Sequence, residues 1–121
     1  MPAIELFLVE LRVADRAAVV AWYIDVIGLI VTLDDPNGDF TLMAAGPTRL
    51  AIKGGRTETA ASSFAIMFRV DDISAERDRL VAMGIDVSAP KTSPEGYSAI
   101  LVRDPAGNSV RLFQWAEMSV S

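Results

Sequence analysis

Two stretches of the chain carry the same order of hydrophobic and polar positions. Apolar residues alternate with polar ones over residues 6–13 and again over residues 64–70. A period of two is typical of a strand with one buried face. The segment Leu11-Arg12-Val13-Ala14-Asp15, which ends the first stretch, recurs as Phe68-Arg69-Val70-Asp71-Asp72 at the end of the second. The chain therefore contains an internal repeat.

A helical pattern follows each predicted strand. In the first copy the apolar positions recur at helical spacing: Val19, Trp22, Tyr23, Val26 and Ile27. Asp15 is placed to cap the N-terminus of this helix, and Gly28 stands where a left-handed C-terminal cap is expected. In the second copy Asp72 precedes the helix and Gly84 follows it.

Three further strands are predicted behind each helix, separated by turns that contain Pro or Gly. They cover residues 29–33, 40–44 and 49–53 in the first copy, and residues 85–87, 98–103 and 109–115 in the second. The pattern predicts an α+β fold class with two βαβββ modules, residues 4–53 and 64–116, joined by a linker over residues 54–63. Because the linker is short, we expect one domain over residues 1–121.

Composition narrows the range of functions. The chain is 51% hydrophobic and 22% charged, which favours a globular protein, and no apolar run reaches the length of a membrane-spanning helix. The start of the chain lacks the basic segment of a secretory signal, so a cytoplasmic location is expected. A net charge of -5 disfavours nucleic acid as a partner. The absence of Cys and His excludes disulfides, thiol nucleophiles and histidine-based sites.

Four motifs resemble those of a known superfamily. Residues 12–15, followed by Ala21-Trp22-Tyr23-Ile24-Asp25-Val26-Ile27-Gly28-Leu29, are similar to the opening of vicinal oxygen chelate proteins, the glyoxalase, bleomycin-resistance and dioxygenase group. Residues 68–72 and Asp104-Pro105-Ala106-Gly107-Asn108 resemble the corresponding motifs of that group's second module. The resemblance implies a cup-shaped fold, often in homodimers. In metal-dependent members it also implies a divalent ion held by His, Glu or Gln from four strands.

This sequence departs from that ligand set. Counted from the shared motifs, the four ligand positions fall on Leu8, Ala51, Ala65 and Arg111. Leu and Ala offer no donor atom, and Arg carries a permanent positive charge. We therefore expect no metal and no cofactor, and we do not expect metal-dependent glyoxalase or dioxygenase activity.

Strand alternation predicts what lines the cup instead. The apolar candidates are Leu8, Ala51, Ala65, Met67 and Phe113, and the polar ones are Glu10, Arg49, Lys53 and Arg111. Apolar walls with a few polar groups are typical of small-molecule sites. Arg111 is the first candidate to hold an anionic or carbonyl group, and Arg49 is the second, because the donors of an Arg side chain form a fork.

Structural explanations exist for several of these residues. Arg12 and Arg69 are interpreted as partners of Asp15 and Asp72, and Arg111 and Glu10 could pair with each other. Arg49 and Lys53 fit a solvated strand face. The acidic residues Asp34, Asp35 and Asp39 are attributed to turn chemistry rather than to calcium.

Three functions stay open at this point. The first is a metal-independent binding protein for a small organic ligand, acting as a homodimer without nucleic acid or membrane as partner. The second is a metal-independent enzyme with Glu10 as general base and Arg111 as stabiliser of an anion. The third is a protein–protein module whose cup has closed.

Overall fold

Each half of the chain forms a four-stranded mixed sheet with one helix packed on it. The computed structural model describes residues 6–55 and 65–116. The chain divides into two compact units, residues 1–60 and 61–121, called unit 1 and unit 2 below. The predicted fold class is confirmed. The predicted linker lies outside the described residues except for Gly54 and Gly55.

Over residues 6–55, unit 1 contains five elements and a helical extension. They are β1 (Leu8–Arg12), α1 (Arg16–Trp22) with a π-helical turn (Tyr23–Ile27), β2 (Ile30–Asp35), β3 (Phe40–Ala45) and β4 (Thr48–Lys53). The strand order is β1-β4-β3-β2, in which β1 and β4 run parallel and the other pairs antiparallel.

Unit 2 repeats this arrangement. Its elements are β5 (Ala65–Arg69), α2 (Ile73–Ala82), β6 (Lys91–Thr92), β7 (Tyr97–Arg103) and β8 (Ser109–Trp115). The strand order β5-β8-β7-β6 matches that of unit 1, again with one parallel pair, β5 and β8.

Both helices begin at the predicted capping aspartates. The Asp15 side chain accepts a hydrogen bond from the Ala18 amide, and that of Asp72 accepts one from the Ala75 amide, each at 3.1 Å. The pairing expected between the motif arginines and these aspartates is wrong. Arg12 lies 3.7 Å from Glu10, and Arg69 lies 3.3 Å from Asp71. The capping carboxylates already serve backbone amides, so the arginines bind other acids.

The first helix changes its winding at Tyr23. Over Tyr23–Ile27 the backbone is π-helical, and the amide of Gly28 bonds back to the carbonyl of Tyr23 at 2.9 Å. Gly28 ends the segment with φ of 93°, in the left-handed region that was predicted for it. The wider turn keeps Tyr23 and Val26 buried on one stripe.

The core of each unit lies between its helix and its sheet. In unit 2 the buried side chains of the sheet come from alternate positions of the two central strands: Ile100, Val102, Val110 and Leu112. Ile73 and Leu80 of α2 are buried with them. The strand faces predicted for residues 109–113 are therefore confirmed.

The strand predicted over residues 85–87 is wrong. Residues 85–90 have no regular structure, and the short edge strand β6 begins only at Lys91. The Ser88 amide donates to the Leu101 carbonyl at 3.1 Å, while the Leu101 amide donates to the Ser88 hydroxyl at 2.9 Å. The Ser88 hydroxyl thus takes the place of a backbone carbonyl in the hydrogen-bond ladder of the sheet. Pro90 has no amide hydrogen and cannot continue that ladder.

The acidic stretch of unit 1 has two structural roles. Asp35 accepts a hydrogen bond from the Gly38 amide at 3.1 Å, which confirms turn chemistry for that residue. Asp34 and Asp39 bind Arg16, with N–O distances of 2.9 Å and 2.6 Å. Arg16 also donates to the buried hydroxyl of Thr41. The network ties the start of α1 to β2 and β3.

Candidate functional site

The predicted site residues divide between the two units, and each set is described by itself. In unit 1, strand pairing places Leu8 beside Arg49 and Glu10 beside Ala51. Leu8 and Arg49 are half-buried. Ala51 is fully buried, so it has no surface for a ligand to contact.

Glu10 occupies an exposed position on β1. Its carboxylate lies 3.7 Å from the guanidinium of Arg12, and its side chain is 39% exposed. A carboxylate that acts as a general base at neutral pH is usually withdrawn from water and from cations. The Glu10 carboxylate is in contact with water and lies beside the Arg12 cation, so it does not fit this description.

In unit 2 Met67, Arg111 and Phe113 lie on the face of the sheet opposite α2. Arg111 of β8 pairs with Met67 on one side and with Leu101 on the other. The next row of this face places Phe113 between Arg69 and Ala99. Ala65 pairs with Ser109 in the same register.

This face bears a pocket of about 720 Å³. Its lining comprises residues 88–94, Tyr97, Ala99, Ile100, Leu101 and Arg111. We call the side of the sheet that carries Tyr97, Ala99, Leu101 and Arg111 the pocket face. Of the predicted ligand-binding residues whose side chains the structure describes, Arg111 alone is among those that line this pocket.

The irregular segment before β6 creates the pocket. Ser88 is fixed by its two bonds to Leu101, and its carbonyl accepts a further bond from Arg77 of α2 at 3.1 Å. At the far end, the Ser93 amide donates to the Tyr97 carbonyl at 2.7 Å. The chain between these anchors borders the sheet as one wall of the cavity.

Two cationic side chains flank the apolar middle of the pocket face. Lys91 pairs in register with Ala99, and Arg111 pairs with Leu101, so the two cations approach β7 from opposite sides. Both are exposed, and among the described residues neither forms an ion pair. Glu95, in the adjoining turn, accepts a hydrogen bond from Ser93. The cations are therefore available to an anionic group in the pocket.

An aromatic cluster stands beside the cations. The rings of Tyr97, Phe113 and Trp115 meet edge to face, with centroid separations of 5.4–5.8 Å. Such contacts fix ring orientation. Phe113 was predicted as a site residue, and in the structure it supports Tyr97, which lines the pocket.

Sequence reasoning missed Lys91 and Tyr97. Their segment was interpreted as the loop between two strands, and binding residues are often found on loops that a rigid scaffold positions. The signal that could have found them is the spacing of Pro90, Pro94 and Gly96 around a lone cation.

The residues at the superfamily's ligand positions do not fit a divalent cation. Leu8, Ala51 and Ala65 present only carbon, and Arg111 presents a charge of the same sign as the ion. Over residues 6–55 and 65–116, no three acidic side chains are grouped so that they could hold a metal. None of the helices within these ranges is long and apolar enough to cross a membrane.

The two four-stranded modules and the four motifs are those of the vicinal oxygen chelate class of proteins. Comparison with known proteins agrees with that class. Residues 8–113 match the model of the glyoxalase-like domain, and the chain belongs to that family. No curated protein is significantly similar to it.

Solved structures share the fold over nearly the whole chain. A lactoylglutathione lyase from Agrobacterium tumefaciens is 25% identical, with a TM-score of 0.80 over 99% of this chain and 100% of that one. TnmS3, an antibiotic-binding protein from a Streptomyces species, is 24% identical, with a TM-score of 0.82 over 96% and 99%. A glyoxalase/bleomycin resistance protein/dioxygenase from Nocardioides is 19% identical, with a TM-score of 0.79 over 98% and 88%.

Proposed function

We propose that this glyoxalase-like protein binds a small organic ligand without a metal, in the pocket of unit 2. The observation that carries the proposal is the placement of Arg111 in that pocket. Arg111 stands at a position where metal-dependent relatives are expected to have a ligand, and here it lines a cavity of about 720 Å³ that Leu101 and Tyr97 also line. The volume is that of a drug-sized ligand site.

The lining favours a ligand that is partly apolar and partly polar. Ala99, Leu101 and the ring of Tyr97 supply apolar surface, while Arg111 and Lys91 supply charge. Apolar contact provides most of the binding free energy in such sites, and a few polar groups fix orientation. A protein–protein module with a closed cup fits less well, because this pocket is not filled by side chains.

The alternative is a metal-independent enzyme in which Glu10 and Arg111 act on an unknown substrate. The lactoylglutathione lyase, at 25% identity, keeps a lyase among the candidates. The exposure of Glu10 and its ion pair with Arg12 disfavour its use as a base. Turnover of a bound ligand by the wild type, lost in Glu10→Gln, would favour the enzyme.

Mapping of bound ligands tests the proposal. Chelator-treated protein is screened against a library of small organic molecules by thermal shift, and hits are mapped by changes in amide NMR signals. We expect the changes to be centred on residues 88–101 and on Arg111. A library without any hit, or hits that all map elsewhere, would contradict the proposal.

Homodimerisation and a cytoplasmic location stay predictions. Sedimentation velocity checks the first, and cell fractionation checks the second.

A further inference from the structure

We infer that the ligand is a flat aromatic molecule that carries a carboxylate or a similar planar monoanion. This inference rests on the proposed function and specifies the class of ligand for the same pocket. It comes from one juxtaposition on the pocket face: Lys91 and Arg111 lie on either side of β7, and Tyr97 lies two residues before Ala99 on β7 itself.

The register brings both cations to one face of the sheet. Ala99 and Leu101 are two positions apart on β7, so their side chains point the same way. Their register partners Lys91 and Arg111 share that face. Strands on either side of a central strand lie about 10 Å apart. Long side chains from both can reach a single anionic group that lies over β7.

The two cations suit a carboxylate. Arg111 offers a planar fork of donors that matches two carboxylate oxygens, and Lys91 adds a mobile point charge. A polyphosphate is usually held by a Gly-rich turn at a helix N-terminus. Among the residues that line the pocket, none belongs to α1 or α2.

The apolar part of the pocket suits a flat ring. Tyr97 contacts Phe113 at 5.5 Å and Trp115 at 5.8 Å, so its ring is held by two neighbours before a ligand arrives. Ala99, the next residue on this face, has only a methyl group and leaves space over the strand. A planar group can lie on Ala99 against the Tyr97 ring at little cost in side-chain entropy.

Three matched probes separate the contribution of the negative charge to affinity from that of the flat ring. They are 2-naphthoate, its neutral amide 2-naphthamide, and the saturated acid decahydro-2-naphthoate, each titrated calorimetrically into the full chain at low salt. We expect 2-naphthoate to bind at least about tenfold more tightly than either of the others, because each lacks one of the two interactions. Raising the salt concentration should weaken the binding of 2-naphthoate and leave the binding of the amide unchanged.

Variants assign the two parts of the interaction. Arg111→Gln and Lys91→Gln should each lower the affinity for 2-naphthoate by about tenfold. The affinity for the amide should change by less than about twofold. Tyr97→Leu should lower the affinity for both aromatic probes and leave the affinity for the saturated acid unchanged. Arg79→Gln is the control, because Arg79 lies on α2, is exposed and does not line the pocket. It should change no affinity.

The outcomes distinguish the inference from the proposed function. Equal affinity for acid and amide, or equal affinity for flat and saturated acids, would overturn the inference and leave a metal-independent binding site. The same holds if none of the probes binds while other library molecules bind residues 88–101. If no molecule of any class binds there, the proposed function fails as well.

Discussion

The Asp104 carboxylate accepts two hydrogen bonds from Asn108 across the turn between β7 and β8. One Asp104 oxygen accepts from the Asn108 amide, and the other accepts from the Asn108 side-chain nitrogen, both at 2.9 Å. The first oxygen also accepts from the Ala106 amide at 2.9 Å. Asp104 is 4% exposed. The motif that resembles the superfamily's second module thus fixes the turn before β8.

The first prediction concerns this turn. Asp104→Ala leaves three donors without their acceptor in a part-buried site, so it should lower the free energy of unfolding by about 2–4 kcal/mol. Asn108→Ala removes one side-chain donor and should cost about 1 kcal/mol. Urea unfolding of both variants measures the difference. Equal losses in the two variants would show that Asp104 does not organise the turn.

The second prediction concerns the pH dependence of stability. The hydrogen bond from Thr41, followed by that from Arg16, lowers the pKa of Asp34 below its ordinary value of 3.8. The folded state therefore binds fewer protons here than the unfolded chain, so the stabilisation is present above pH 3.8 and is lost as the pH falls through the folded pKa.

Asp34→Asn tests that sign. The stability difference between wild type and Asp34→Asn should be largest at neutral pH and should shrink below pH 3.8. Chemical unfolding at a series of pH values measures it. Asp86→Asn, at an exposed acid outside this network, is the control. A difference that stays constant from neutral to acid pH would contradict the assignment.

The third prediction concerns the contact between Gly54 and Asp39. A Cβ added at Gly54 would overlap the Asp39 carboxylate, which is held in place by Arg16. Gly54→Ala should therefore destabilise the protein by about 1–3 kcal/mol. The loss should shrink in an Asp39→Gly background, where the carboxylate is gone and glycine suits the backbone angle φ of 52°.

A double-mutant cycle measured by thermal and urea unfolding gives the coupling between these two positions. We expect a coupling of about 1 kcal/mol or more. If Gly54→Ala destabilises the protein equally in both backgrounds, the carboxylate is not what limits the space at Gly54.

The fourth prediction concerns access to the pocket. Ala99→Trp places a large ring over the middle of the pocket face, and aromatic residues are well tolerated on strands. Binding of the ligands that map to the pocket should be lost, while the melting temperature changes by only a few degrees. Val81→Trp adds the same ring at an exposed position of α2 outside the pocket, and this variant should bind as the wild type does. Unchanged binding by Ala99→Trp would place the ligand elsewhere.

The sequence predicted the features that depend on local patterns. The capping roles of Asp15 and Asp72 and the left-handed Gly28 follow from chain geometry within a few residues. The outward position of Arg111 follows from strand alternation, since Val110 and Leu112 on either side are buried.

Features that depend on distant partners were missed. The Ser88 side chain replaces part of a strand ladder by bonding to Leu101, and no pattern near Ser88 indicates that bond. Lys91 and Tyr97 enter the pocket as a consequence. Arg12 and Arg69 bind other acids than expected because the nearby aspartates are engaged by backbone amides. Tertiary hydrogen bonding decided each of these cases.

One measurement tests the central claim of metal-independent binding most directly. A ligand that maps to residues 88–101 is titrated calorimetrically into protein freed of metal by a chelator, and again after addition of Mg²⁺, Mn²⁺, Ni²⁺ or Zn²⁺. We expect the same dissociation constant in every titration, with about tenfold weaker binding to Arg111→Gln. Binding that disappears with the chelator and returns with a divalent ion would contradict the account.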